Sequence, residues 1–234
     1  MSVDLREQAL ARGERRSSLL VYRIVRALLR VVVNPWLRVR SANAEVLDRP
    51  GPTILAPVHR SHLDSALIAT QTQRRIRALG KESLFTTPGV SYLCAALGAI
   101  PVQRGKADRD ALMAARSLLE RGESMIVFPE GSRGSGDRVA ELFDGAAWLA
   151  ARTGAVIVPI GVAGTEAALP PGAKFLHRSR VAIVAGDPLP PPRGPDGKRA
   201  TRQQLRQLTA ELAGRLQQTQ DEAVALARDQ VGQR

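Results

Sequence analysis

Six short apolar runs, separated by turns and by stretches of helical periodicity, restrict the fold of this chain more than any other feature. The runs are residues 52–58, 76–80, 100–102, 124–128, 155–162 and 181–186. Each has the length of a strand rather than a helix, and the longer ones are rich in Ile, Val and Leu. Between them lie stretches with apolar residues three and four apart, at 64–70, 90–97, 108–121 and 146–153. Gly122 and Gly154 stand just past two of these, where a helix readily ends in a left-handed turn. Strands alternating with helices bury a sheet on both faces. The pattern therefore predicts an α/β fold, with a mixed, largely parallel sheet flanked by helices.

Both ends of the chain differ from this alternation. Residues 1–17 are polar, frayed or helical, and residues 18–33 are strongly apolar except for Arg23, Arg26 and Arg30. On a helix those arginines share one face and leave a wide apolar remainder. Such an N-terminal amphipathic helix has two placements. It can lie in a membrane interface with its guanidinium groups reaching lipid phosphates, or pack on the domain with its arginines in water. Pro35 is expected to end it, and Trp36 to sit at an interface or cap the core. Past the last run, residues 190–197 read as a Pro/Gly linker, followed by a helix from about Thr201 with Leu205, Leu208, Leu212 and Leu216 on one face. The expected division is a membrane-associating helical segment at 1–45, a core at 46–192 and a C-terminal helix of the same domain at 193–234.

Charge narrows the partners. The chain has 34 Lys and Arg against 22 Asp and Glu, a formal net charge of +12. That excess favours nucleic acid, an anionic membrane surface or phosphate-bearing metabolites. Aromatic residues are only 3%, too few for a base-stacking single-strand binder, and no nucleic-acid partner is expected. Cys94 is the only cysteine, which removes an internal disulfide and a cysteine zinc site and fits a reducing cytoplasm. No stretch reaches the ~20 apolar residues of a spanning helix, and the N-terminus lacks the layout of a secretory signal. Peripheral association with the cytoplasmic face of the cell membrane is the expected location.

The chemistry gathers at the ends of the apolar runs. His59-Arg60-Ser61-His62-Leu63-Asp64 follows the first of them. Histidine suits proton abstraction near neutrality, and a carboxylate on its other ring nitrogen fixes the tautomer and stabilises the imidazolium. A spacing of five does not place His59 and Asp64 on one helix face. It does bring them together if the histidine sits in a turn and the aspartate in the first helical turn. His62, two residues from Asp64, is a second candidate base, and a surface histidine beside a helix cap would give the same residues. Two other run ends carry arginine: Gly98-Ala99-Ile100-Pro101-Val102-Gln103-Arg104 and Phe128-Pro129-Glu130-Gly131-Ser132-Arg133. Arginine offers a bidentate fork to phosphate, and ligands bind at strand ends in α/β folds. Gly105-Lys106-Ala107 lacks the spacing of a phosphate-binding NTPase loop, and no Gly-x-Ser-x-Gly elbow of a serine hydrolase occurs in the glycine-rich loop.

Taken in order, these blocks and Val158-Pro159-Ile160 resemble the four blocks of the glycerolipid acyltransferases, which acylate glycerol 3-phosphate or 1-acylglycerol 3-phosphate. The resemblance spans about residues 52–190. It implies that His59 takes the proton of a glycerol hydroxyl and Asp64 orients it. The oxygen then attacks the thioester carbonyl of acyl-CoA or acyl-carrier protein directly, with no cofactor and no metal. By block position, Arg104, Glu130, Gly131 and Arg133 would hold the acceptor's phosphate, joined by Lys81 after the second run, while His62 falls at a variable position. Lysophosphatidic acid is the implied acceptor and phosphatidic acid the product, with glycerol 3-phosphate or another lysophospholipid as the alternative. A non-enzymatic anionic-lipid-binding module explains the charge but not the paired blocks. The chain departs from the family pattern at Val58, where Asn is frequent, at Asp144 before Gly145, where Lys is frequent, and at Ser132, where Thr is commoner.

Overall fold

The computed structural model of the protein describes residues 2–102, 109–193 and 199–229. Among these, seven strands form one sheet: β1 (Arg40–Ala42), β2 (Thr53–Pro57), β3 (Ile76–Lys81), β4 (Ala99–Val102), β5 (Ser124–Ile126), β6 (Val156–Ala163) and β7 (Ala182–Ala185), in the order β1-β7-β6-β2-β5-β3-β4. The five from β6 to β4 run parallel, with β2 between β5 and β6. β7 is antiparallel to β6, and β1 is parallel to β7. The mixed, mainly parallel sheet is thus as expected. The short edge strand β1 was not anticipated, because it has only three residues, of which Arg40 and Ser41 are polar and exposed.

The helices are α1 (Ser2–Gly13), α2 (Arg16–Leu28), α3 (Asn34–Trp36), α4 (Asp64–Thr70), α5 (Pro88–Ala96), α6 (Arg109–Glu120), α7 (Gly145–Thr153), α8 (Thr165–Ala168) and α9 (Arg202–Asp229). Strand residues alternate between two buried layers, as the two-residue period of a strand requires. Ile54, Ala56 and Ile157 pack with Leu118, Leu119, Leu149 and Leu212 of α6, α7 and α9. Leu55, Val158 and Ile160 pack on the other face with Leu67 and Ile68 of α4. α9 crosses β6 so closely that a Cβ on Gly161 would lie 2.0 Å from the carbonyl oxygen of Thr219, so only glycine fits there.

The N-terminal helix differs from expectation in two ways. It does not stop at Pro35: α2 passes through a π-helical segment, Leu29–Val33, into α3, which takes Pro35 in its first turn and ends one residue later at Trp36. Two of its three arginines also face neither water nor lipid alone, while Arg23 is exposed. Arg26 donates to the carbonyls of Thr72, Gln73 and Arg74, and Arg30 to those of Thr70 and Thr72, so both guanidinium groups cap the C-terminal end of α4 and the turn after it. The apolar residues Leu20, Ile24, Leu28, Val31 and Val32 are the exposed ones. Among the described residues, no helix is long and apolar enough to cross a membrane.

Candidate active site

The C-terminal ends of the parallel strands lie along one edge of the sheet. His59 follows β2, Lys81 ends β3, Glu130 follows β5 and Thr165 follows β6. Strand direction alone therefore brings together side chains that are distant in sequence. At the centre is the turn between β2 and α4. His59 Nδ1 lies 3.1 Å from Asp64 Oδ2, and both residues are buried. The same carboxylate oxygen accepts the backbone N–H groups of Arg60 (2.7 Å) and Ser61 (2.8 Å). Asp64 at the start of α4 thus folds back on its own turn and holds the imidazole in place. The other oxygen, Oδ1, accepts the hydroxyl of Thr165 at 2.7 Å. The His59 ring stacks on Phe128, with centroids 3.8 Å apart and planes 22° from parallel. His62 instead lines an apolar cavity beside α4, so the histidine–aspartate contact falls on His59.

The loop after β5 is tied to this turn by a buried ion pair. Glu130 Oε2 accepts the backbone N–H of His59 (2.8 Å), and both Glu130 oxygens accept the Arg60 guanidinium (3.1 and 2.9 Å). Oε1 also accepts the backbone N–H of Ala140 at 2.9 Å. Arg60 spends its remaining donors on the carbonyls of His59, Gly136 and Arg138. Each charge is paired and its hydrogen bonds are satisfied, the condition under which a buried ion pair is tolerated. The Gly134 N–H donates to the His59 carbonyl at 2.9 Å, which sets Arg133, the residue before it, next to the turn. Arg133 is exposed, as is Lys81, which lies two strands from β2, about 10 Å across the sheet. Gly131 has φ +70°, and a Cβ there would lie 2.8 Å from the Phe143 ring, so the loop needs glycine at this point. Arg104 lies outside the described residues.

The three departures from the family pattern have plain structural settings. Val58 is fully buried in the core, packed with Val158 and Ile160, so the residue before His59 serves the core and not the site. Asp144 accepts the hydroxyl of Thr209 at 2.7 Å, joining α7 to α9. Ser132 is exposed in the loop. Sequence reasoning missed three neighbours of the His59–Asp64 pair: Arg60, Phe128 and Thr165. Opposite charges at two run ends, Arg60 and Glu130, were a readable hint of the ion pair. No pattern pointed to Thr165, 101 residues from its partner.

A half-open apolar cavity of about 190 Å³ begins at His62 of the turn and Ser65 of α4. It runs between α2 and the sheet, past Leu29, Ala69, Ala78 and Ala99.

Comparison with known proteins finds similarity to acyltransferases. Over 163 residues the chain is 26% identical to the chloroplastic 1-acyl-sn-glycerol-3-phosphate acyltransferase LPAT1 of Arabidopsis thaliana, covering 68% of this chain and 46% of that protein. It is 30% identical over 166 residues to a 1-acyl-sn-glycerol-3-phosphate acyltransferase of Chlamydomonas reinhardtii (69% and 50%) and 24% identical over 170 residues to that of Bacillus subtilis (72% and 82%). The chain thus spans about half the length of the plant and algal relatives it matches. The crystal structure of the acyltransferase PlsC from Thermotoga maritima has the same fold, with a TM-score of 0.69 at 24% identity, over 91% of this chain and 86% of that one. The family model described as Acyltransferase matches residues 38–163, more than half of the sequence, and the chain belongs to that family.

Proposed function

We propose that this chain transfers a fatty acyl group from a thioester, acyl-CoA or acyl-carrier protein, to the free hydroxyl of lysophosphatidic acid, giving phosphatidic acid. The observation that carries the proposal is the buried contact between His59 Nδ1 and Asp64 Oδ2 at the strand-end edge. With Nδ1 held by the carboxylate, Nε2 is the nitrogen that takes the hydroxyl proton. The acceptor oxygen attacks the thioester carbonyl, the C–S bond breaks, and the leaving thiolate takes the proton from Nε2. Asp64 stabilises the imidazolium between the two transfers. Thr165 is a positioning residue: its hydroxyl fixes Oδ1 so that Oδ2 faces the imidazole. No acyl-enzyme is required, and Cys94 is a poor nucleophile because burial pushes its thiol up.

Arg133, Lys81 and Arg104 are the cations assigned to the acceptor's phosphate. Glu130 acts at one remove in this reading. Its charge is matched by Arg60, and it holds the loop that carries Arg133. The cavity beside the turn, lined by small and apolar side chains, suits an acyl chain, the donor's or the acceptor's, and the relatives named 1-acyl-sn-glycerol-3-phosphate acyltransferases favour a lipid acceptor over glycerol 3-phosphate. The peripheral membrane placement proposed for the chain is supported by its excess of cations and by the exposed apolar residues of α2. The test is thiol release from acyl-CoA with lysophosphatidic acid, glycerol 3-phosphate and other lysophospholipids offered in turn. The proposal predicts the highest kcat/KM with lysophosphatidic acid. A higher value with glycerol 3-phosphate, or no acceptor-dependent thiol release, would contradict it.

A further inference from the structure

Aromatic residues are scarce in this chain, with four Phe, two Trp and two Tyr, and their exposure is uneven. Three of them are more than half exposed: Trp36 (51%), Phe143 (69%) and Phe175 (82%). All three stand at the edge of the sheet that carries His59. Phe143 belongs to the loop after β5 and lies over Gly131. Trp36 ends α3, and the chain then enters β1 level with the end of β6, since Arg40 and Ala163 both register with Ala182. Phe175 lies in the connection that leaves the end of β6 through α8 and returns at β7. That connection is also mostly basic, with Glu166 of α8 its one acid. From Ala167 to Ala185 there is no Asp or Glu, while Lys174, Arg178 and Arg180 are present. The Arg178 guanidinium lies over the Trp36 ring, 5.9 Å from its centroid, joining the basic loop to the tip of the α2–α3 helix.

We propose that this edge, and not α2 alone, rests on an anionic phospholipid bilayer. In this arrangement Phe175 enters the interface, Trp36 and Phe143 lie at headgroup depth, and Lys174 and Arg178 face lipid phosphates. Exposed aromatics beside clustered cations have the composition of a membrane-interface belt, and among the described residues nothing covers Phe175 at the tip of this connection. A contact along α2 alone would leave the domain free to roll about the helix axis. A second contact at the β6–β7 connection stops that rotation and presents the strand ends to the lipid. The inference rests on the lipid-acceptor reading only for its purpose; the surface itself stands on exposure, charge and topology.

Sedimentation of the full chain with vesicles of phosphatidylcholine, with and without phosphatidylglycerol, tests it. Phe175→Ala is expected to weaken binding on the order of tenfold. The double variant Lys174→Ala, Arg178→Ala is expected to weaken binding to the anionic vesicles on the order of fivefold per cation, an effect that fades with added salt. Acylation of a short-chain lysophosphatidate below its micelle concentration reports folding and chemistry, and it should be unchanged in these variants. If wild type fails that reaction, the functional reading falls while the vesicle result still decides the surface. Vesicle binding unchanged in both variants, with Val32→Asp on the π-helical segment after α2 abolishing it, would assign the contact to the N-terminal helix and overturn the proposal. Loss of a dimer on sizing in Phe175→Ala, with vesicle binding intact, would do so too.

Discussion

Thr165 offers a sharp test of how the site is held. Its hydroxyl is the donor to Asp64 Oδ1, at 2.7 Å, and both side chains are fully buried. Thr165→Val keeps the shape and removes the hydrogen bond. A hydrogen bond to a charged group is worth about 1.5–3 kcal/mol, which corresponds to roughly 10- to 150-fold. Oδ2 keeps its contacts with His59 and with the amides of Arg60 and Ser61, so the carboxylate stays near its place. The expected loss therefore lies at the low end, about tenfold. It should appear in kcat rather than in acceptor KM, because the contact orients the base and touches no substrate. Thr165→Ser restores the donor and should recover most of the rate. The assay is steady-state thiol release with lysophosphatidic acid, with thermal unfolding run in parallel. A kcat within twofold of wild type in Thr165→Val, or a Thr165→Ser variant as slow as Thr165→Val, would refute the positioning role.

Other expectations concern the surroundings of the base. Glu130→Ala leaves the Arg60 guanidinium buried without its partner and should destabilise the fold by about 3–5 kcal/mol in urea unfolding. Arg60→Ala combined with Glu130→Ala should cost clearly less than the sum of the two single changes. Arg133→Ala and Arg104→Ala should each raise the KM for lysophosphatidic acid on the order of tenfold with kcat little changed, read from the same thiol assay. Asp48 carries the pH dependence. Burial alone would raise its carboxyl, but the Thr72 hydroxyl, the Gln73 and Arg74 amides and the Arg30 charge outweigh that and hold it below the usual range. A depressed folded-state value means stabilisation present above the unfolded value and lost as pH falls through the folded one. Asp48→Asn should thus lower Tm at neutral pH, and the gap to wild type should close as the pH drops below about 3.9.

The parts of the fold that sequence made legible are those where burial and period agree. β2, β5 and β6 are apolar on both faces because helices cover both, so they read as unbroken runs. Strand direction leaves no periodic trace, so nothing in residues 181–186 distinguished an antiparallel β7 from another parallel strand. On the N-terminal helix the spacing of Arg26 and Arg30 showed that they share a face but not what that face meets. Their partners are backbone carbonyls, which have no signature in composition. The site divides in the same way. His59 and Asp64 lie within six residues, and a local turn brings them together. Arg60 with Glu130 and Asp64 with Thr165 are joined only by the parallel order of β2, β5 and β6, so the residues that hold the pair in place stayed out of view.

The central claim is that His59, oriented by Asp64, takes the acceptor's proton. The most direct test is kcat for thiol release with lysophosphatidic acid in His59→Ala, in a variant shown by circular dichroism and thermal unfolding to keep the fold. Loss of a positioned general base is predicted to lower kcat at least 10²- to 10⁴-fold, with Asp64→Asn falling in the same direction. Turnover in folded His59→Ala within tenfold of wild type would contradict the account.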